Sequence, residues 1–410
     1  MMNRFRQLIA LTGERRYDLF TFFCLYIAQS LPMTFFSTAL QVSMRQASYS
    51  LSAIALMQLI KLPWILKFLW APWVDRGCRT LRGFRKCIFV SEGVYALLIL
   101  LIGHLDLQAD FRLIVFLILL SFIASATQDI ATDALAVLSF RHEEKSLINS
   151  MQSLGSFCAT LVGGGLLLML LQHCGWHVVL PFLALFVGVA LWPLYRNRGL
   201  KISKREEKRR IRAADFYGFF TVRGNLSQIG FLMLYYASTV GILSMTRPWL
   251  VDLGYSMKEI GFMSGIIGSS AACASTLLGG HLVYFIGRFR ARRLFALFSC
   301  LTAAYFALVS NVHPSGAAVV TGIVLLWAGY AMSTVVVYTT AMDRVRPGLE
   351  GTDFTIQTVI THLSGILVSV LSGHVAEQLG YRWFFAFATV VACLGAGYVF
   401  LVFRRKDSEK

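Results

Sequence analysis

Long apolar stretches recur along the whole chain and alternate with short segments rich in Lys, Arg and Gly. An apolar helix of about 20 residues crosses the roughly 30 Å hydrocarbon core of a bilayer. The pattern predicts twelve membrane-spanning helices, at residues 18–43, 51–74, 86–106, 111–139, 147–172, 177–195, 222–248, 257–286, 291–311, 315–342, 352–378 and 382–403.

Composition agrees with this pattern. The chain has 410 residues, of which 57% are hydrophobic and 14% charged, and its mean hydropathy is +0.65. A soluble domain is about 45–50% apolar and about 25% charged. We therefore interpret the chain as an all-α polytopic membrane protein and not as a string of soluble domains.

The net charge of +17 comes from Lys and Arg residues whose positions indicate how the chain is oriented in the membrane. The predicted loops place 31 Lys and Arg residues on the side of the termini and the central loop, and 4 on the opposite side. Since cytoplasmic loops are enriched in Lys and Arg, both termini are predicted to be cytoplasmic. The basic residues do not gather on one face, so no nucleic-acid partner is expected.

Cysteine spacing and motif searches exclude several kinds of site. The eight cysteines form no CxxC pair and no Cys/His spacing typical of zinc, so neither a disulfide framework nor a metal site is predicted. Motifs of metalloproteases, serine hydrolases and P-loop enzymes are missing, so the chain is not expected to be an enzyme or to need a cofactor. The N-terminal MMNRFRQLIALTGERRYD is interpreted as a retained cytoplasmic segment rather than a signal peptide.

A weak internal repeat divides the chain. Gln152 precedes Gly175–Trp176 by the same spacing as Gln357 precedes Gly380–Tyr381, at an offset of 205 residues. Two related six-helix bundles with the substrate site between them describe the major facilitator fold. The predicted units are a bundle at 1–195, a basic cytoplasmic linker at 196–216 and a second bundle at 217–410. The linker is read as solvated, with contact to anionic lipids as the alternative.

The second loop, WAPWVDRGCRTLRGFRK, resembles the G-x-x-x-D-R-x-G-R-[RK] loop of major facilitator transporters. An acid at a helix end can bind basic groups and helix N-termini across the bundle interface in one state. Asp75, Arg76 and Arg85 are therefore predicted to close the cytoplasmic side. In the second copy, GGHLVYFIGRFRARR, Tyr284 stands where an Asp is expected.

Two carboxylates lie in the fourth predicted span, in SATQDIATDALAV. A charged Asp at mid-span costs about 2.5–3.5 kcal/mol, so such residues are usually functional. Their spacing of four residues places Asp129 and Asp133 on one helix face. Close like charges favour proton binding by at least one of them. Lys67 lies at similar depth, so we predict a proton-coupling site, with a static buried ion pair as the alternative.

Gln128 and several further polar residues in predicted spans are candidates for substrate binding. Lys61 and Arg247 could each bind an anionic group of the substrate. Alternatively, the Lys61 side chain snorkels to the membrane surface, and Arg247 anchors its helix at the membrane interface. Aromatic side chains could line a sugar-binding cavity or pack the core, and His362 in the eleventh span could titrate. The aromatic candidates are Tyr235, Tyr236, Tyr330 and Tyr338.

The segments LKFLWAPWVDR and TQDIATDALAV resemble the AmpG-like branch of the major facilitator superfamily, and GTDFTIQ at 351–357 resembles its muropeptide permeases. The branch also includes acetyl-CoA transporters and siderophore importers. The LPW that precedes ILKFLWAP resembles the siderophore importers. The resemblance implies proton-driven import of anhydro-muropeptides, with Gln128 beside the acids and Lys67 among the matching positions. Muropeptide permeases commonly have two additional hydrophobic segments, whereas twelve are predicted here.

Together these observations predict a secondary transporter of the bacterial inner membrane that imports a small-molecule solute with protons by alternating access. It is expected to be a monomer whose other partners are membrane lipids. A siderophore or acyl-CoA substrate, an uncoupled facilitator and a solute-sensing receptor remain as alternatives.

Overall fold

The structure is a computed structural model that describes residues 13–46, 57–107, 109–203, 214–311 and 314–403. These residues form helices and connecting turns, with no strand among them. The all-α prediction is confirmed for the described part of the chain. The beginning of the predicted second span and much of the predicted linker lie outside the described residues.

We number the helices by span. They are α1 (Gly13–Gln46), α2 (57–77), α3 (Leu81–Gly103), α4 (Phe111–Ser139), α5 (145–174), α6 (Trp176–Arg196), α7 (Asn225–Asp252), α8 (258–286), α9 (288–309), α10 (Gly316–Met342), α11 (350–379) and α12 (381–402). A short helix, Ala214–Thr221, precedes α7.

Nine helices among the described residues are long and apolar enough to cross a membrane. Two of them, Lys258–Val309 and Glu350–Val402, contain a single non-helical glycine, so each comprises two of our numbered helices. With the broken helix α2, this arrangement is consistent with the predicted twelve spans.

Glycines with positive φ form the sharp connections between several helices. Gly175 between α5 and α6 has φ 78°, and Gly380 between α11 and α12 has φ 75°. These are the two glycines that the internal repeat equates, and Gly287 between α8 and α9 has φ 80°. An L side chain rarely adopts this conformation, so glycine lets each helix end and the next begin within one residue.

Helix α2 is broken although its sequence pattern suggests one continuous span. It contains a 3₁₀ turn at Met57–Lys61, an α-helical turn at Leu62–Leu66, a second 3₁₀ turn at Lys67–Leu69 and the helix Ala71–Gly77. Pro63 and Pro72 each lie at the start of a short α-helical piece, where the missing N–H has no helical partner to lose. The break carries Lys61 at the end of the first 3₁₀ turn and Lys67 at the start of the second.

The two halves pack most closely through α5 and α8. A Cβ at Gly280 would overlap the hydroxyl of Ser150 and lie 3.0 Å from the carbonyl oxygen of Ser146, so glycine permits this approach. Helices α5 and α8 each also contain a π-helical segment, at Val162–Leu166 and Gly261–Ile267. Such segments often occur at functional sites.

Candidate functional site

Asp129 and Asp133 lie one turn apart on α4, and both are buried, with 2% and 0% of their surface exposed. The predicted shared face is confirmed: both side chains point into the first half of the molecule, towards α1. Their surroundings nevertheless differ.

Asp129 is balanced by a cation. Its Oδ2 forms an ion pair with Nζ of Lys67, and its Oδ1 accepts a hydrogen bond of 2.6 Å from Nε2 of Gln29. Lys67 is itself 2% exposed, and its ammonium lies 5.1 Å from the centre of the Trp64 ring. The predicted meeting of Lys67 with one of the acids therefore occurs, and the acid is Asp129.

Asp133 is bound by neutral donors. Its Oδ1 accepts hydrogen bonds from the hydroxyl of Tyr26 at 3.0 Å and from Nε2 of Gln152 at 3.1 Å. Its Oδ2 is buried without a hydrogen-bond partner among the described residues. A carboxylate charge at Asp133 is thus less well compensated than the charge at Asp129.

Gln128 is completely buried beside the acids, and both polar atoms of its amide lack a partner in the described part of the chain. Other buried hydroxyls on helices between the two halves also lack a hydrogen-bond partner among the described residues. We call this set the polar seam: Gln128, Thr132, Ser146, Ser153, Thr276 and Thr355. Gln128 is therefore closed off from solvent in this conformation and does not line the cavity described next.

A cavity of about 1320 Å³ lies between the halves. Its walls come from the C-terminal ends of α1 and α5, from α7 and from the N-terminal end of α8, including both π-helical segments. Three cations line it, Lys61, Arg247 and Lys258, together with one acid, Glu259. Lys61 from the first half and Arg247 from the second thus line one cavity.

The other predicted substrate residues lie deeper or elsewhere. His362 on α11 is exposed, and it is near enough to Lys67 and Asp129 to interact with them electrostatically. Tyr338 is half-buried and packs on Phe354, 6.1 Å between ring centres.

Tyr235 faces away from the cavity. Its hydroxyl donates to the carbonyl oxygen of Arg292 at 3.0 Å, and its ring lies 4.5 Å from that of Phe231. Tyr236 and Tyr330 pack edge to face, 5.9 Å between ring centres. The packing alternative therefore describes Tyr235, and nothing in its contacts favours a substrate role.

On the side of the chain ends, Asp75 caps the N-terminus of α11. It accepts hydrogen bonds from the N–H of Gly351 at 3.1 Å, and from the N–H and the hydroxyl of Thr352, both at 2.7 Å. A carboxylate is stabilised by the unpaired N–H groups and the positive dipole end of a helix. This contact joins the two halves and closes the molecule on that side.

Neither of the two predicted basic gate residues, Arg76 and Arg85, joins the halves through a contact among the described residues. Arg76 is exposed. Arg85 donates to the carbonyl oxygen of Asn197 at the end of α6, within the first half, and the Asn197 side chain in turn donates to Asp18 at 2.9 Å. Arg85 thus ties the start of α3 to the end of α6.

In the second copy of the loop, Gly280 brings the two halves into close contact on the same side. At the offset of 205 residues Gly280 corresponds to Asp75, and Ser146 to Gly351. Gly280 packs directly against Ser146, which is the equivalent contact. At this offset Gly280 corresponds to Asp75, whereas the spacing of the loop motif pairs Asp75 with Tyr284, one helical turn later.

Asp343, after α10, forms a further link between the halves. It pairs with Arg288 of the second half and lies 3.0 Å from Nδ1 of His142 and 3.5 Å from Nζ of Lys145, both of the first half. Burial tends to raise the pKa of Asp343, but the hydrogen bond with His142 and the charges of Arg288 and Lys145 outweigh it and bring the pKa below its ordinary value. Its charge therefore persists at neutral pH.

Several polar residues of the site escaped the sequence interpretation. Gln29 and Tyr26 on α1 bind the acids, and only their spacing of three residues in a predicted span hints at a shared face. Glu92 on α3 is completely buried, and both carboxyl oxygens lack partners among the described residues. The rule that drew attention to Asp129, a carboxyl inside a span, would also have identified Glu92.

Comparison with known proteins adds to this geometry. The sequence model of the Major Facilitator Superfamily matches residues 19–369. Anhydromuropeptide permease of Escherichia coli K12 is 25% identical over 93% of this chain and 78% of its own length. Putative transporter AmpG 4 of Rickettsia conorii is 22% identical over 95% of this chain and 97% of its own.

Solved structures show the same architecture. A crystal structure of a bacterial homologue of the iron transporter ferroportin, in an outward-facing state, superposes with a TM-score of 0.71. It covers 96% of this chain and 99% of its own, at 15% identity. At that identity the likeness concerns the fold alone.

Proposed function

The chain belongs to the Major Facilitator Superfamily, and from that premise we propose that it is a proton-coupled importer of the bacterial inner membrane, with anhydro-muropeptides as its substrates. Transport by this superfamily proceeds by alternating access around a site between the two halves. Asp75, Gly280 and Asp343 hold the halves together on the proposed cytoplasmic side, and the cavity reached from the opposite side would be the periplasmic entrance.

The observation that carries the proton role is the unequal environment of the two acids. With Lys67 charged, the site of Asp129 and Asp133 holds one uncompensated negative charge in a place closed to water. A proton on Asp133 removes that charge, and its unpartnered Oδ2 is the atom with room for the proton. Because moving a net charge within the membrane is costly, we infer that the site changes its access only when neutral.

The cavity supports a large anionic substrate. About 1320 Å³ exceeds the roughly 300–1,000 Å³ of pockets for drug-sized ligands. Lys61, Arg247 and Lys258 outnumber Glu259 along its walls, so carboxylates would be attracted. An anhydro-muropeptide, which joins sugars to a peptide with free carboxylates, has this size and charge. Siderophores and acyl-CoA compounds share the charge and remain the alternatives.

The test separates coupling from binding. The test uses proteoliposomes that contain the wild type, Asp129→Asn or Asp133→Asn. Counterflow is measured as exchange of external labelled anhydro-muropeptide for unlabelled muropeptide inside the vesicles. Coupled transport is measured as uptake driven by an inward proton gradient. We expect Asp133→Asn to lose gradient-driven uptake by at least tenfold and to retain counterflow, since exchange needs no net proton movement. Uptake that persists in Asp133→Asn and disappears with a protonophore would refute the assignment to Asp133.

Two other outcomes would favour the alternative functions. Uptake by the wild type that is unaffected by the protonophore indicates an uncoupled facilitator. Saturable binding of the muropeptide without counterflow indicates a receptor. The same assay with a ferric siderophore and an acyl-CoA compares the alternative substrates under identical conditions.

A further inference from the structure

Arg292, in the first turns of α9, is a buried cation that makes no salt bridge with any acid in the described part of the chain. It is 6% exposed, and its Nε is sealed from solvent without a hydrogen-bond partner among the described residues. Its guanidinium lies over two aromatic rings, 4.3 Å from the centre of Phe403 and 5.5 Å from that of Phe231. Rings cover the faces of a guanidinium but cannot accept from the N–H groups in its plane, so those groups remain available to an anion.

Arg293 repeats this arrangement beside it. Its guanidinium lies 4.0 Å from the centre of the Phe289 ring and 4.6 Å from that of Phe400, and its Nε is also buried without a partner in the described chain. Phe289 lies on α9, Phe400 on α12 and Phe231 on α7, and Phe403 directly follows α12, so rings at the same ends of these helices hold both arginines. We call Arg292 and Arg293 with their four rings the arginine cage.

Two carboxylates on this side of the molecule already have cationic partners. Asp343 pairs with Arg288, and Asp353 pairs with Arg346 at 2.6 Å. The cage makes no salt bridge with any described acid. A buried charge needs a compensating charge or strong hydrogen bonds, so the cage favours an anion from outside the described chain.

The surface next to the cage is apolar. Leu294, Leu297 and Leu301 on α9 and Leu401 on α12 are all exposed, as expected of side chains that face lipid tails. The cage lies at the ends of these helices on the side of the gate contacts, where phospholipid headgroups meet a membrane protein. An anion anchored at the cage would therefore have its hydrocarbon chains along the exposed leucines.

We propose that the arginine cage is a binding site for the phosphate of an anionic phospholipid. Bidentate hydrogen bonds from guanidinium groups to phosphate oxygens would satisfy the free N–H groups, and the aromatic rings keep both side chains in position. This site is separate from the cavity and from the acid pair, and it does not depend on the proposed substrate.

The test measures thermal unfolding of the full-length protein in detergent during titration with phosphatidylglycerol, phosphatidylcholine of the same chain length, or inorganic phosphate. The variants are Arg292→Gln/Arg293→Gln and, as a matched control, Arg290→Gln, which removes an exposed arginine of the same helix. We expect phosphatidylglycerol alone to stabilise the wild type and the control. Each arginine removed should weaken the apparent affinity about fivefold, and the double variant about 25-fold.

Equal stabilisation of the double variant and the wild type by phosphatidylglycerol would overturn the proposal. The same holds if phosphatidylcholine stabilises as strongly, or if inorganic phosphate alone reproduces the effect, which would identify a soluble anion as the ligand. If the double variant does not fold, Arg293→Gln and Arg292→Lys replace it. Arg293→Gln should then lose affinity while Arg292→Lys, which keeps the charge, loses less.

Discussion

Replacing Asp75 with Asn should weaken the closed gate by an amount that the structure allows us to work out. The carboxylate accepts three hydrogen bonds from Gly351 and Thr352 at the N-terminus of α11. An Asn side chain has one acceptor oxygen, so its NH₂ group must face one of the donors. Loss of one charge-assisted bond and of the interaction with the helix dipole amounts to about 2 kcal/mol, or about 30-fold in the population of the open gate.

Ser146 provides a reporter for this change. It is completely buried against Gly280, so a cysteine there reacts with a maleimide only when the halves separate. In a background without the eight native cysteines, we would compare alkylation rates of Ser146→Cys with and without Asp75→Asn. The rate should rise about 30-fold, in line with the estimated change in population.

The control is Arg79→Gln, which removes an exposed charge from the same loop. Its alkylation rate should equal that of the parent protein. A rate for Asp75→Asn within about twofold of the parent would show that the cap on α11 contributes less than about 0.4 kcal/mol to closure. The electrostatic account of this gate would then be wrong.

Three further predictions concern other contacts between or within the halves. Replacement of Gly280 by Val should also accelerate alkylation of the same reporter, because a side chain there cannot fit against α5; an unchanged rate would contradict this. The sulfur atoms of Cys158 and Cys273 lie 3.8 Å apart across the halves, so hydrogen peroxide should oxidise the two thiols to a disulfide. A chain cleaved in the linker should then run as one band on a non-reducing gel. Lys67→Met should destabilise the protein by about 3–5 kcal/mol because it leaves Asp129 charged and buried, whereas Lys67→Met/Asp129→Asn should recover most of the loss in thermal unfolding.

The sequence predicted the helices well because apolar length is a local property. The predicted fourth span, 111–139, coincides with α4, and the repeated glycines at 175 and 380 do share a backbone conformation. The break in α2 was not predicted, although Pro63 and Pro72 mark its pieces, because the apolar run hides the change of geometry.

The acid pair and its cation were also predictable, since a charge inside a span needs a partner. Which acid receives Lys67 was not, because the choice depends on the rotation of α2 against α4. Gly280 was missed for a different reason: its role is to have no side chain, and sequence patterns draw attention to groups that are present. Tyr235 shows the converse case: its chemistry suits a sugar site, but its hydroxyl forms a hydrogen bond within the second half, which no sequence pattern reveals.

The polar seam bears on how fast such a protein can work. Each buried hydroxyl or amide without a partner costs about 1–3 kcal/mol, so the closed side carries an unfavourable term that water would remove as soon as the halves part. The Asp75 cap and the Asp343 ion pairs act in the opposite direction. The free energy of closure is then a near balance between the strong contacts at the rim and the cost of burying unpaired polar groups in the interior. A fully apolar interior would seal the same gate so firmly that hydration could not help to open it.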